Sequence, residues 1–230
     1  MKTVAIHQPG YLPWLGFFKK MMNSDIFVFF DDVQYEKDGW QNRNQVRGPN
    51  DTIWLIVPVK AHLDSKINQV EIDNSKNWMN KHKKTLSYNY SKAPYFGECS
   101  KIVEYLYGKK HELLIDINIE FIKLVMDYLD IKTKTIFSSE LQITKNGSDK
   151  ILEICKVLNA DKYISGTVWA KDHLKVEEFQ KANITVEFQE FQHPTYKQIH
   201  KGFIPQMSIM DLLFNEGKVS SKQILADAIV

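Results

Sequence analysis

Two short apolar runs near the N-terminus, TVAIHQ (residues 3–8) and IFVFFDDVQY (residues 26–35), flank a stretch of different rhythm. An apolar run of this length without polar alternation fits a strand buried on both faces, as in a parallel sheet. Between the runs, Leu15, Phe18, Met21 and Met22 recur at helical spacing, and Pro13 suits a first helical turn, where its missing N–H costs nothing. Strand, loop, helix, strand in about 30 residues is a βαβ unit, which commits the chain to an α/β architecture with a parallel sheet.

The rest of the chain extends that pattern. TIWLIVPVK reads as a third apolar strand, with Pro58 demoting part of it to an edge or bulge. KINQVEID reads as a further short strand. From Trp78 to Tyr128 the pattern is mostly helical, so a helical layer or subdomain is expected at about residues 76–130. KTIFSS, DKYISG and ITVEFQEF read as strands. GSDKILEICKVLNA reads as a helix capped by Ser148 or Asp149. SIMDLLFNEG reads as a helix stopped by Gly217 and followed by a terminal helix. The expectation is one Rossmann-like α/β domain over residues 1–230 with a mostly helical insertion, and no internal repeat.

Composition narrows the function classes. The 30 basic and 28 acidic residues leave a net charge of +2, too balanced for a dedicated nucleic-acid or membrane-surface protein. No segment approaches the roughly 20 apolar residues of a membrane span, and a cytoplasmic protein is expected. The two cysteines, Cys99 and Cys155, read as buried thiols. The seven histidines show no paired-ligand spacing, so no metal site is expected. P-loop, dinucleotide-binding and nucleophile-elbow signatures are absent.

In an open parallel sheet, ligands bind beyond the carboxyl ends of the strands. Past the first strand stand His7, Gln8, Tyr11 and Trp14; past the second, Asp31, Asp32, Gln34 and Tyr35; past the third, Lys60; around DKYISG, Ser165, Thr167 and Trp169. If those strands are neighbours, these groups share one rim. His7 is a candidate base or hydrogen-bond donor, against the plainer reading of a satisfied histidine at a strand end. Trp40, Asn42, Arg43 and Asn44 crowd the next loop: an Arg fork suits phosphate or carboxylate, amides suit sugar hydroxyls, and Trp40 and Tyr35 offer stacking faces. A polar hairpin turning at Asp38-Gly39 is the alternative. Lys81, His82 and Tyr90 sit on a helix that otherwise reads as a solvated face. His193, Tyr196 and His200 occupy a late loop that lines a pocket or only the surface.

Two resemblances add to this reading. HQPGYLPWLGFF, DDVQYEKDGWQNRNQVRG, WLIVPV, Lys81-His82 with Tyr90, APY at residues 93–95, DKYISG and SIMDLLFNEG, in that order, resemble the WbqC-like family. That resemblance implies an enzyme of surface-polysaccharide biosynthesis acting on a nucleotide-linked amino sugar, with a small acyl or aminoacyl donor as its second substrate. More faintly, the opening strand-turn-helix-strand and MSIMDLLFNEG resemble nucleotidylyltransferases, which implies that type of sheet, His7 as a catalytic group, Ser208 as an oxyanion contact, and ATP with magnesium as a cofactor. Two departures stand out. Tyr11 and Trp14 have the spacing at which that family carries paired histidines, and Ile209, Met210 and Asp211 follow Ser208 in place of its Thr and Arg.

Three functions follow as expectations. The first is N-acyl or N-aminoacyl transfer, with His7 or Asp31 as base and Arg43 holding an anionic group. The second is nucleotidyl transfer from ATP. The third is a non-catalytic sugar- or nucleotide-binding protein.

Overall fold

The computed structural model describes residues 1–166 and 172–229. Thr167 and Trp169, expected past the strand in DKYISG, lie outside them. The chain begins with β1 (Thr3–His7), α1 (Leu15–Met22) and β2 (Ile26–Phe29), the βαβ unit its apolar runs predict. It continues through β3 (Arg43–Arg47), β4 (Thr52–Ile56), β5 (Val59–Lys60) and β6 (Glu71–Ile72). Three helices follow: α2 (Trp78–Tyr90), α3 (Phe96–Leu106) and α4 (Leu114–Leu129). Then come β7 (Lys134–Phe137), α5 (Gly147–Val157), β8 (Lys162–Ser165), α6 (Val176–Lys181), β9 (Thr185–Phe188) and α7 (Ile209–Asp227).

The central sheet has five strands in the order β7-β2-β1-β8-β9, and every pair in it is parallel. This is a Rossmann-like arrangement. The chain first builds outward from β1 to β2 and β7, then returns to the other side of β1 with β8. That reversal leaves a crevice at the carboxyl ends of β1 and β8, where neighbouring connections leave in opposite directions.

Strand pleating sends alternate residues to opposite faces. Ala5, Phe27, Phe29 and Ile164 enter the larger core with residues of α1, α4 and α7. Val4, Ile6, Val28 and Tyr163 enter a smaller core with Ile151, Ile154 and Cys155 of α5 and Phe179 of α6. Leu86, Cys99, Ile102, Phe121 and Val125, from α2 to α4, belong to the larger core, so those helices pack on the same layer as α1.

Several local expectations change. TIWLI is not a sheet neighbour of β1: β4 pairs antiparallel with β3, Gln45 opposite Trp54. Lys60 stands on the separate β5–β6 ribbon, exposed, and does not join the rim. KINQVEID is a 3-10 turn, Ile67–Gln69, before the two-residue β6. Pro13 lies outside α1, whose N-cap is Trp14. The N-cap of α5 is Asn146, without a side-chain bond, rather than Ser148 or Asp149. Gly217 does break the last helix, with φ at +66°, but the chain resumes helical geometry beyond it. The ring of Tyr95 lies where a Cβ on Gly217 would stand.

Candidate functional site

The connection from β1 to α1 shapes the crevice, and it is held by other parts of the chain. Asn118 of α4, fully buried, donates through Nδ2 to the carbonyls of Pro9 (3.0 Å) and Gln41 (2.8 Å). Asn44 of β3 donates through Nδ2 to the carbonyls of Tyr11 (3.1 Å) and Leu12 (2.8 Å). Those bonds hold Leu12 at a φ of +43°, a region a branched side chain rarely occupies. Tyr11 N–H donates to the Trp40 carbonyl (3.0 Å). A Cβ on Gly10 would meet that same carbonyl at 3.2 Å, a close approach that favours glycine here. Ile209 N–H donates to the Pro13 carbonyl (2.9 Å), tying the turn to the start of α7.

His7 stands at the end of β1, half-buried, with the Phe17 ring edge-on at 5.1 Å. Its Nδ1 lies 2.9 Å from the Gln8 carbonyl. A carbonyl only accepts, so Nδ1 carries the proton and Nε2 carries the lone pair. Burial, then the charge of Lys20, lowers the imidazole to about 3, which keeps it neutral at physiological pH. The Gln8 Oε1 accepts from Gln41 Nε2 at 2.6 Å.

Lys20 of α1 completes this group. It is 2 % exposed. Its Nζ has one hydrogen-bond partner among the described residues, the Ile6 carbonyl at a long 3.4 Å. No carboxylate among the described residues pairs with it, and burial lowers the amine to about 7. A Cβ on Gly166, just past β8, would lie 3.8 Å from Nζ. The buried amine therefore stands between the two sides of the crevice, without a counter-charge among the described residues. Nothing in the sequence set Lys20 apart from Lys19, which reaches the Ala226 carbonyl at 2.7 Å. The available signal was its place three residues after Phe17, on the helix face turned inward.

The other candidates divide among different places. Trp40, Arg43 and Trp54 form a second, exposed group on the β3–β4 hairpin. The indoles of Trp40 and Trp54 are 57 % and 42 % exposed, with centroids 5.6 Å apart. The Arg43 guanidinium lies 5.1 Å over the Trp54 ring and pairs with Asp38 at 3.1 Å. Tyr35 is buried nearby, its hydroxyl raised above its ordinary pKa by burial against the lowering charge of Arg43. Through Gln41, the residue after Trp40, this group adjoins Gln8.

Asp31 is a brace rather than a free base. Its Oδ1 accepts from Ser138 Oγ and Ser139 N–H (both 3.0 Å), and its Oδ2 from Ser139 Oγ (2.7 Å) and Asn68 Nδ2 (3.1 Å). Asp32 pairs with the buried Lys150. The Tyr11 hydroxyl bonds to His82 Nδ1 (2.8 Å) and to the Tyr107 hydroxyl inside the core, and burial lowers His82 to about 4. The hydroxyls of Tyr90 and Tyr196 both donate to Asp211, at 2.7 Å each. Asn42 donates to the Val57 carbonyl (2.9 Å). Trp14 covers Gly16 and meets Phe191 and His193. Ser165 falls on the opposite face of the sheet from His7, bonded to Tyr163. Gln34 and Lys81 are exposed.

Ser208 is the N-cap of α7, fully buried, its Oγ accepting from Met210 N–H at 3.3 Å. The amides of Ser208, Ile209 and Asp211 donate to the carbonyls of Gln45, Pro13 and Ser208. An anion at this terminus would have to displace bonds already made, so the oxyanion expected there has no free donor among these groups.

A family model described as the WbqC-like protein family matches residues 8–223. The uncharacterized protein Rv1507c of Mycobacterium tuberculosis is 33% identical over 221 residues, covering 94% of this chain and 95% of its own. No solved structure matches the chain.

Proposed function

The chain belongs to the WbqC-like protein family, and from that premise we propose that it is a sugar-modifying enzyme of surface-glycan biosynthesis. Its reaction is transfer of an acyl or aminoacyl group to the amine of a nucleotide-linked amino sugar. The observation that carries this reading is His7: a neutral imidazole at the switch point of a parallel sheet, with Nδ1 committed to the Gln8 carbonyl and the lone pair on Nε2.

Acyl transfer to an amine needs a base. The sugar nitrogen attacks the acyl carbonyl, a C–N bond forms, and the bond to the leaving group breaks with its electron pair. The proton shed by the nitrogen passes to His7 Nε2 and on to the departing group. His7 is held at the crevice in one tautomer, so it accepts that proton without reorienting. Gln8, fixed by Gln41, supports the chain that presents it. The exposed Trp40 and Trp54 rings with Arg43 suit a carbohydrate face, since an aromatic plane stacks on the C–H side of a pyranose while polar groups take its hydroxyls.

The reading is tested by incubating the full chain with nucleotide-linked 3-amino and 4-amino sugars and a panel of acyl-CoAs, or amino acids with ATP and magnesium. Mass spectrometry reports the products. A product heavier by one acyl or aminoacyl group supports transfer. Unchanged sugars across the panel, with a folded protein, refute it. If pyrophosphate is released only when an amino acid is present, the donor is an adenylate. That outcome joins transfer to the ATP-using reading.

A further inference from the structure

We propose that Lys20 anchors a phosphate group of a nucleotide in the crevice between the ends of β1 and β8. This rests on the reading of the crevice as the substrate site, and it adds the chemical class that the site selects.

The argument begins with an imbalance. A lysine ammonium removed from water is costly unless a partner compensates it. Among the described residues Lys20 has only the Ile6 carbonyl, at 3.4 Å. Two other buried lysines are better satisfied: Lys150 pairs with Asp32, and Lys19 donates to the Ala226 carbonyl at 2.7 Å. No carboxylate among the described residues does the same for Lys20. An anionic ligand supplies that charge and lets the buried amine hold its proton.

Place selects the kind of anion. The amine lies at the switch point, where α/β sheets receive ligands. It sits beside Gly166, where a Cβ would lie 3.8 Å from Nζ. The alternative phosphate cradle, the start of α7, has its amides committed to protein acceptors. A phosphate at Lys20 also acts on His7. Lys20 is the second cause, after burial, that lowers the imidazole, and a phosphate beside it offsets that part of the lowering.

Calorimetric titration tests this with the full chain at pH 8, wild type and Lys20→Met, in two buffers of different ionisation heat. The ligands are UDP, ATP and inorganic pyrophosphate. Wild type is expected to bind at least one of them. Lys20→Met is expected to bind it at least ten-fold more weakly. Binding to wild type should take up close to one proton, because an amine largely neutral at pH 8 becomes charged against the phosphate. Tighter UDP identifies the nucleotide sugar as the phosphate's source, and tighter ATP identifies a nucleotide co-substrate; both uphold the anchor. Equal affinities in the two proteins, binding without proton uptake, or no binding by wild type overturns it. Should the variant not fold, the wild-type proton count decides. Acylation by a protein that fails this titration removes the anchor and leaves transfer standing; phosphate binding without acylation does the reverse.

Discussion

Replacing Lys20 with methionine keeps the length of the side chain and removes its charge, so the ligand-free protein should become more stable and lose part of its pH dependence. Burial lowers the amine from 10.5 to about 7. At about 1.4 kcal/mol per pH unit, the desolvated cation costs on the order of 4–5 kcal/mol where it is charged in both states. Above pH 7 the folded chain releases the proton, while the unfolded chain holds it until near 10.5. The unfolded state then binds more protons, and stability rises with pH across that window. Integrated from pH 7 to 9, Lys20 alone adds about 2 kcal/mol. Urea denaturation of both proteins at pH 7 and pH 9 measures this, and the difference between the two slopes cancels groups they share. The expected result is a variant more stable at pH 7 whose advantage shrinks by about 2 kcal/mol at pH 9. A variant less stable at pH 7, or one with the wild-type pH slope, would show that Lys20 is a structural residue and refute the uncompensated charge.

Other substitutions separate the roles assigned here. His7→Ala should lower kcat by roughly 10²- to 10⁴-fold with an unchanged circular dichroism spectrum; a rise in KM alone would mean that His7 only binds. Asn118→Ala orphans two buried carbonyls and should cost about 2–4 kcal/mol in a denaturation midpoint series, and an effect under about 0.5 kcal/mol would show that the turn holds itself. Trp54→Ala should leave stability nearly unchanged and raise the KM for the sugar roughly two- to ten-fold if the exposed rings stack on it. Ser208→Ala should cost about 1 kcal/mol of stability as a lost cap and leave kcat within two-fold, whereas a large fall in kcat would return Ser208 to the reaction.

The start of the fold was legible because two uninterrupted apolar runs flank a helical repeat, a pattern that only a buried parallel pair satisfies. The β3–β4 hairpin was not. Trp54 and Ile56 of β4 are exposed apolar residues, so TIWLI carries no polar mark of its open face, and its partner RNQVR looks like a loop. His7 and Gln8 could be picked out, since a strand end in such a sheet faces the crevice. The roles of Tyr11 and His82 could not, because each is set by a partner 71 residues away. Asp31 looked like a base for the same reason: its four donors come from Asn68, Ser138 and Ser139. Lys20 was hidden by the habit of lysine, which is almost always at the surface. Only its position on the Phe17 side of α1 distinguishes it from its neighbour.

Acyl transfer makes an amide from an amine, and nitrogen-15 reports that change directly. A nucleotide-linked amino sugar labelled at its amine, incubated with the protein and the donor that the mass panel identifies, should develop a one-proton amide doublet in the proton–nitrogen-15 spectrum. The same signal should be absent with His7→Ala. A heavier product whose nitrogen remains an amine would place the new group on a hydroxyl or on the nucleotide, and would contradict N-transfer at its centre.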